Sequence, residues 1–428
     1  MTAPTSIRLK DVCSRYADYG ANIPSDEYVA ENEGIRFLRT TDIRDDGRLK
    51  PPSEGVFVAL AKARSAGALC QDGDLLLSRS GTIGRSFRYL RAEHGPCAFA
   101  GYLVRFSPRP GVHSQFLFYW TKTTEFQAQI AQESIQTTIQ NFNGQKYAGM
   151  YLPSVSPAAQ AGIADFLDRK TAAIDALIAK KERLIDLLEE KRQALITQAV
   201  TKGLDPNVPM KDSGIEWLGE IPAHWKVKRL KHVLRRGLAY GVLKPLAYEH
   251  ADGVPLLRIF NASDEGDVVE DELMLVSPSQ SAEYRRTRLS TGDLVVSVVG
   301  TIGRSLIVPE SMNGANLSRA LARIQLGNSA QAEFMLLWLR SSLFEQQAED
   351  VARGSAQKVL NLGQLAEFVV PLPPVEEQRE VAAQLSGTLR SARAAREALQ
   401  QSVARLAEYR QALITAAVTG QLDVSEAS

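Results

Sequence analysis

The chain has 428 residues, of which 44% are hydrophobic and 23% charged, and this is the composition of an ordinary globular protein. A length of this order predicts roughly two to four domains. Lysine and arginine number 50 against 49 acidic residues, so the net charge is +1. Such a balance argues against a non-specific nucleic-acid binder but leaves room for a specific one with local basic patches.

The first residues, MTAPTSIRLKDV, contain no apolar segment, and the longest apolar runs fall far short of the roughly 20 residues that cross a bilayer. The three cysteines, Cys13, Cys70 and Cys97, are widely spaced and form no CxxC pair. This pattern argues against a disulfide framework or a zinc site and suits a reducing compartment. We therefore expect a cytoplasmic protein without a metal site or membrane association.

The sequence is an internal duplication. The six residues GTIGRS occur at 81–86 and again at 300–305, and the match extends backwards as GDLLLSRSGTIGRS over GDLVVSVVGTIGRS. Near the end of each copy, RQALITQAVTKGLD (192–205) corresponds to RQALITAAVTGQLD (410–423). A period of about 220 residues is far too long for a solenoid repeat, so it indicates two copies of a whole folding unit.

The first part of each copy, residues 1–152 and 212–372, is rich in short apolar runs broken by Gly, Pro, Asp and Asn. Runs such as IRFLRT, DLLLS, GYLVRFSP, DLVVSVV and ARIQL predict strands. One amphipathic helix per copy is predicted at 114–132 and at 332–351. Each part is therefore predicted to be a mixed domain of helices and strands, large enough for its own hydrophobic core.

The second part of each copy predicts a long spacer helix, with a linker after the first helix, in residues 153–211 and 373–428. The first helix is predicted to run from Pro157 to Val200, and apolar residues in both helices follow the 4-3 spacing of a coiled-coil seam. The predicted seams are formed by Ile163, Leu167, Ile174, Leu177, Leu184, Leu188 and Leu195, and by Val381, Leu385, Ala392, Ala395, Leu399, Leu406 and Leu413. A duplicated unit most simply folds about a pseudo-two-fold axis, which makes the helices antiparallel. We therefore expect an α+β fold with two mixed domains separated by two long antiparallel helices.

The sequence carries no signature of catalysis. The five histidines form no HExxH pair, and GTIGRS is not a phosphate-binding P-loop because GxxxxGK[ST] is absent. Neither a GxSxG elbow nor a GxGxxG fingerprint occurs. The sequence therefore predicts a non-catalytic protein with no catalytic residues.

Two interpretations of GTIGRS remain open from the sequence. A Gly-x-x-Gly turn after an apolar strand lets backbone amides approach an anion, with Arg85 or Arg304 beside it. The alternative is a hairpin-like turn in which only glycine fits the backbone conformation.

Several segments resemble the specificity subunits of type I restriction–modification systems. MKDSGIEWLGEIPAHWKVKRL (210–230) is similar to the phrase that opens a target-recognition domain in that family. RGSAQKVLNLGQL (353–365), PLPPVEEQREVAAQL (371–385), the closing RQALITAAVTGQLD and the two GTIGRS segments look like the same family. The first copy departs from the pattern because it lacks the SGIEWLGEIP lead and has ESIQTTIQNFNG (133–144) in place of GSAQKVLNLG.

The resemblance implies a non-catalytic DNA-recognition subunit. It implies binding of double-stranded DNA at a two-part asymmetric site, one half per target-recognition domain, with the helices setting the gap. It also implies docking of two methyltransferase subunits and of a restriction subunit that translocates DNA, and it places S-adenosylmethionine, ATP and Mg²⁺ in those partners, with no cofactor in this chain. The alternative is a non-catalytic scaffold or anti-restriction protein that uses the same fold to bind only proteins.

The candidate DNA-contacting residues are polar side chains near the repeated motifs. Base edges are recognised by side chains such as Arg, Lys, Asn and Gln, whereas amides and hydroxyls hold phosphates. In the first domain the candidates are Arg39, Thr40, Arg79, Ser80, Thr82, Arg85 and Gln136. In the second domain they are Arg258, Asn261, Thr301, Arg304, Gln357 and Lys358.

Overall fold

The computed structural model describes residues 6–135, 142–263, 266–271, 273–352 and 359–424. The chain divides into two units. The first unit contains residues 1–182 and 400–428, and the second contains residues 183–399. Each unit therefore combines one mixed domain with part of both long helices.

The described strands of the first unit form three sheets. Their bounds are β1 (Ser6–Arg8), β2 (Cys13–Tyr19), β3 (Tyr28–Val29), β4 (Ile35–Leu38), β5 (Val56–Val58), β6 (Leu75–Ser78), β7 (Ser86–Arg88), β8 (Cys97–Phe99), β9 (Leu103–Pro108) and β10 (Tyr151–Pro153). One sheet has the order β2-β9-β6-β7, a second has the order β3-β5-β4-β8, and β1 pairs with β10. The strands predicted at IRFLRT, DLLLS and GYLVRFSP are confirmed as β4, β6 and β9.

The strand β6 is buried on both faces, which explains why its sequence is a continuous apolar run rather than an alternating one. It pairs antiparallel with β9, with Leu75 opposite Phe106 and Leu77 opposite Val104. Leu75 and Leu77 belong to a core cluster that includes helical residues such as Trp120, whereas Leu76 belongs to a separate cluster formed with β4 and β8. The first domain therefore has hydrophobic layers on both sides of this strand.

The helices of the first unit include a break that the sequence analysis did not anticipate. Their bounds are α1 (Leu60–Ser65), α2 (Arg91–His94), α3 (Ser114–Trp120), α4 (Thr124–Ile135), α5 (Gly144–Gly149) and α6 (Pro157–Lys202), the last of which continues into the second unit. The single helix predicted at 114–132 is wrong, because the segment forms α3 and α4. Thr123 causes the break: its hydroxyl donates to the Trp120 carbonyl at 2.8 Å and accepts from the Phe126 amide at 3.2 Å. A threonine bonded in this way ends one helix and caps the next.

The second unit repeats this arrangement. Its described strands are β11 (Met210–Asp212), β12 (Glu220–Pro222), β13 (Lys226–Arg229), β14 (Ala239–Tyr240), β15 (Val254–Leu257), β16 (Met274–Val276), β17 (Leu294–Ser297), β18 (Ser305–Ile307), β19 (Asn316–Leu317), β20 (Leu321–Ile324) and β21 (Val369–Leu372). The order β14-β20-β17-β18 corresponds to the first four-stranded sheet of the first unit, and the second sheet has the order β16-β15-β19. Two further pairs are β13-β21 and β11-β12. The strands predicted at DLVVSVV and ARIQL are confirmed as β17 and β20.

The helices of the second unit show the same break. Their bounds are α7 (Pro278–Glu283), α8 (Ala332–Leu339), α9 (Ser342–Ala352), α10 (Leu362–Ala366) and α11 (Val375–Val418), the last of which continues into the first unit. The single helix predicted at 332–351 is therefore also wrong. Ser341 takes the place of Thr123: its hydroxyl donates to the Trp338 carbonyl at 2.6 Å and accepts from the Phe344 amide at 3.4 Å.

The long helices are confirmed as α6 and α11, but two residues of the seam predicted on α6 are wrong. Leu167 and Ile174 are buried as predicted, whereas Leu177 and Leu184 are 43% and 49% exposed. The residues that follow these two leucines, Ile178 and Ile185, are half-buried instead. Both choices satisfy a 4-3 spacing, so spacing alone could not decide which stripe of apolar residues faces inward.

Corresponding glutamines join each domain to the long helix that follows it. In the first unit, Gln160 near the start of α6 accepts a hydrogen bond from the His113 amide at 2.9 Å. In the second unit, Gln378 near the start of α11 accepts one from the Gln331 amide at 2.8 Å. Both glutamines are at least nine-tenths buried, so these bonds hold buried backbone amides that would otherwise be unpaired.

Each domain also contacts the end of the other long helix. In the first unit, Thr415 of α11 accepts a hydrogen bond from the Thr124 amide at 3.1 Å. In the second unit, Thr197 of α6 accepts one from the Ser342 amide, also at 3.1 Å. These pairings are the ones expected of antiparallel helices. No helix within the described ranges is long and apolar enough to cross a membrane.

Candidate functional site

The GTIGRS segment of the first domain is the tight turn between β6 and β7. Ser78, the last residue of β6, donates its hydroxyl proton to the Thr82 carbonyl and accepts from the Arg85 amide at 3.1 Å. The Gly84 amide donates to the Tyr147 hydroxyl at 2.9 Å, and that hydroxyl donates to the Ser78 carbonyl at 2.7 Å. The amides of residues 84 and 85 are therefore bonded within the domain, which favours the hairpin interpretation over an anion site at these two amides.

The second domain builds the same turn between β17 and β18. The Ser297 hydroxyl donates to the Thr301 carbonyl and accepts from the Arg304 amide at 2.9 Å. The Gly303 amide donates to the Ser297 carbonyl at 3.1 Å. Gly300 and Gly303 have φ values of +77° and +93°, which L side chains rarely adopt. Local backbone conformation therefore accounts for the repetition of these glycines.

The arginine of GTIGRS links the turn to the segment that follows β4 or β15. Arg85 donates from Nη1 to the Thr40 carbonyl at 3.4 Å, and from Nε to Asp45 at 3.0 Å. Arg304 donates from Nη1 to the Ile259 carbonyl, also at 3.4 Å. Both arginines thus hold the turn against the same point of the neighbouring segment, which we call the recognition loop (residues 39–42 and 258–261).

The two recognition loops share a backbone conformation but differ in side-chain chemistry. In the first, Arg39 forms a two-point ion pair with the buried Asp42, at 3.0 Å from Nε and 2.8 Å from Nη2, and this pairing raises the pKa of Arg39. In the second, the guanidinium of Arg258 lies 4.1 Å from the centre of the Phe260 ring. Different side chains on the same loop backbone are what the binding of two different ligands would require.

Of the candidates within the described residues, Asn261 is the one that the structure places in the interior. Its side chain is 2% exposed. Its Oδ1 accepts from the Arg258 amide at 3.2 Å, and its Nδ2 donates to the Val269 carbonyl at 3.2 Å. An amide that is buried and bonded on both atoms stabilises the loop, so we correct our assignment of Asn261 from base contact to loop support.

A cleft in the first domain brings together most of its candidates. It encloses about 860 Å³, and Tyr102 stands on its wall. The candidates that line it are Arg39, Thr40, Ser80, Thr82 and Arg85. Arg79 lies beside it, with its guanidinium 4.8 Å from the centre of the Tyr19 ring.

The candidates of the second domain are not gathered in the same way. Thr301 lines a cavity of about 700 Å³ together with Arg340 and Phe344, whereas the Arg258 guanidinium stacks on Phe260 of the recognition loop. Gln136 of the first domain and Gln357 and Lys358 of the second lie outside the described residues, so these three candidates remain predictions.

Two exposed aromatic residues were missed by the sequence analysis. Tyr102 is 62% exposed at the cleft of the first domain, and Phe260 is 57% exposed on the recognition loop of the second. The copies differ at both places, because Thr41 corresponds to Phe260 and Ala320 to Tyr102. An aromatic residue present in only one copy, next to a repeated motif, is the signal that could have found them.

Comparison with known proteins finds relatives of one kind. The family described as "Type I restriction modification DNA specificity domain" matches residues 264–401. The EcoBI specificity subunit of Escherichia coli is 28% identical over 312 residues, which cover 71% of this chain and 65% of the relative. The EcoKI specificity subunit of Escherichia coli K12 is 26% identical over 352 residues, covering 77% and 70%. The chain is similar to type I restriction specificity subunits.

Solved structures agree with this chain in fold over nearly its whole length. A chain from a structure on the assembly and conformational transition of the type I R-M system matches with a TM-score of 0.73, at 15% identity and 99% coverage of both chains. The HsdS subunit from Thermoanaerobacter tengcongensis matches with a TM-score of 0.51, at 15% identity and coverage of 99% and 98%. The α+β fold with two mixed domains and two long helices is therefore confirmed.

Proposed function

We propose that this chain is a type I restriction specificity subunit and that it recognises a two-part asymmetric DNA site, with one half of the site bound by each domain. One observation carries the proposal. Arg85 and Arg304 hold the same turn against the same recognition-loop carbonyl in both domains, at 3.4 Å in each case. Beside this shared support, the loop side chains differ between the domains. A common scaffold with varied side chains suits recognition of two different half-sites.

The recognition loops supply the chemistry for such a difference. Arg39 carries two donors that suit guanine or phosphate, although in the free protein they are bonded to Asp42. Phe260 offers an apolar ring that suits contact with a thymine methyl group. Phosphate contacts from hydroxyls such as Thr82 and Thr301 would hold the domains in register without reading sequence.

We further propose that the chain docks two methyltransferase subunits and one restriction subunit. The duplicated units offer two similar docking faces, and the relatives are named as subunits of restriction enzymes. The helix α6 leaves Leu177, Leu184 and Leu187 more than two-fifths exposed. Exposed leucines close together on one helix are typical of a surface that a partner covers.

In this proposal the chain contributes recognition and no catalysis. S-adenosylmethionine would bind the methyltransferase subunits, and ATP and Mg²⁺ would also bind in the partner subunits. This chain would bind none of these cofactors. A DNA-recognition subunit acts where the chromosome is, so we propose a cytoplasmic location.

The test is to co-express the chain with its methyltransferase and map methylated sites by sequencing. We expect a two-part site, no methylation by the chain alone, and a complex of two methyltransferases per chain. Replacing residues 1–152 with the equivalent domain of a relative should change one half of the site only. Methyl transfer by the isolated chain, or a change in both halves, would contradict the proposal.

A further inference from the structure

The two units carry the same turn directly after the recognition loop. In the first unit the Arg44 amide donates to the Arg48 carbonyl at 2.8 Å, and in the second the Ser263 amide donates to the Asp267 carbonyl at 2.9 Å. Gly47 has a φ of +86° and Gly266 a φ of +85°, so the backbones match. Arg48 and Asp267 therefore occupy one structural position, with opposite charges.

The long helices present a second position at which the charges are opposite. Gln160 of α6 and Gln378 of α11 make the same hydrogen bond to their domains, so they are corresponding residues of the two helices. Counted from these glutamines along each helix, Asp175 of α6 and Arg393 of α11 occupy one position. Here an acid in the first unit corresponds to a base in the second, which is the reverse of the exchange in the turn.

These reversed positions contact each other within each unit. Nη2 of Arg48 lies 3.3 Å from Oδ2 of Asp175 in the first unit. Nη1 of Arg393 lies 2.6 Å from Oδ2 of Asp267 in the second. Both units therefore have an ion pair between the turn and the helix. The charges are reversed, because the turn is basic in the first unit and acidic in the second.

The surroundings of each helix residue fit its sign. Asp175 also accepts from Nε of Arg410 at 2.8 Å. The residue that corresponds to Arg410 is Arg192, and in the second unit it bonds to Glu189 at 2.5 Å instead. Arg393 is itself paired with Glu397 at 2.9 Å. In the second unit Arg192 therefore has Glu189 as its partner, where Arg410 of the first unit has the helix aspartate Asp175.

We propose that these reversed ion pairs match each recognition domain to its own helix. The surface of α6 at Asp175 fits a turn with a basic tip, and the surface of α11 at Arg393 fits a turn with an acidic tip. A domain moved onto the other helix would lose its ion pair and meet a like charge, Arg48 against Arg393 or Asp267 against Asp175. Because the turn follows the recognition loop directly, the pair positions that loop relative to the helix.

The experiment compares charge reversals in the full chain by amide hydrogen exchange of the turn, which includes the bonded Arg44 and Gly47 amides. Arg48→Asp in the natural chain puts two acids together, so exchange should become roughly threefold to tenfold faster. In an Asp175→Arg background the same Arg48→Asp change restores an opposite-charge pair, so exchange should become slower. Arg48→Asp should thus speed exchange when residue 175 is Asp and slow it when residue 175 is Arg. This comparison holds whatever Asp175→Arg does to Arg410, because that change is present in both members of the second pair.

The control is Arg44→Asp, which makes the same charge change in the same turn at an exposed residue. It should behave alike in both backgrounds. Asp267→Arg, with and without Arg393→Asp, repeats the test in the second unit. In both units 1 M salt should weaken each effect, because it shortens the screening length to about 3 Å. Equal effects of Arg48→Asp in both backgrounds would overturn the proposal without touching the proposed DNA recognition.

Discussion

Arg323 donates to Asp293 across 2.7 Å, and the two side chains are only 7% and 9% exposed. Asp293 is the aspartate of the repeated Gly-Asp-Leu segment, and it also accepts from the Ser290 amide at 2.7 Å. In the first unit the corresponding Asp74 is fully buried, and burial raises its pKa. There Nη2 of Arg105 lies closer to Asp18, at 2.9 Å, than Nη1 does to Asp74, at 3.8 Å.

This difference predicts unequal costs for one substitution in the two units. Asp293→Asn leaves the buried Arg323 charge unpaired and should cost about 3–5 kcal/mol of local stability. Asp74→Asn should cost less, because Arg105 keeps its partner Asp18. Native-state hydrogen exchange of β17 and of β6 measures the two effects separately. Equal losses in both strands would show that the Arg323–Asp293 pair has no special weight.

The glycines of the first GTIGRS turn should also differ in their tolerance of a methyl group. Gly81 has a φ of +71° and an added Cβ would meet no atom within 4 Å among the described residues, so Gly81→Ala should cost about 1–2 kcal/mol of backbone strain. Gly84 has a φ of +83°, and its Cβ would in addition overlap Cδ1 of Ile130. Gly84→Ala should therefore lose roughly a further 1–3 kcal/mol. Urea unfolding of the two variants tests the order, and a costlier Gly81→Ala would contradict it.

Local and repeated patterns were the part of the fold that the sequence could predict. Apolar runs located β4, β6, β9, β17 and β20, and the absence of breakers located α6 to within two residues of its end at Lys202. The sequence failed where two choices satisfied one pattern, as with Leu177 and Ile178. It also failed where a side chain ends a helix through its own backbone bonds, as at Thr123.

The candidate site was predictable in composition but not in contacts. The sequence predicts Arg85 and Thr40 as site residues, but it does not predict Asp45, which pairs with Arg85. Such partners are set by tertiary packing of segments some 40 residues apart, and no local pattern reveals them. Asn261 was misplaced because a local pattern does not reveal its burial, which includes a hydrogen bond from its Nδ2 to the Val269 carbonyl eight residues further along the chain.

Lys122 predicts a pH dependence of stability in alkaline solution. Its ammonium donates to the Asp45 carbonyl at 3.0 Å, and burial lowers its pKa from 10.5 to about 8. Between these values the unfolded chain binds more protons than the folded one, so this group makes the protein more stable as pH rises from about 8 to 10.5. Lys122→Met should remove that rise. Urea unfolding of both proteins across this range tests it, and parallel curves would rule the effect out.

The exposed aromatic residues predict effects confined to one half of the DNA site. Tyr102→Ala removes a ring of the first domain that has no counterpart in the second, and Phe260→Ala does the reverse. A lost apolar or stacking contact to one base pair should weaken binding by about 1–3 kcal/mol and relax the choice at that position. Tyr102→Ala should therefore alter only the half-site of the first domain, and Phe260→Ala only that of the second.

The measurement for these aromatic variants is the affinity of the assembled complex for duplexes that carry single substitutions in either half-site. Trp217→Ala is the control, because Trp217 is 39% exposed but lies outside both recognition loops and the cleft. It should leave affinity and target unchanged. If Tyr102→Ala relaxes positions in both half-sites, the ring acts on the fold of the chain rather than on bases. If both variants keep the natural affinity and target, the recognition surface lies elsewhere on the domains.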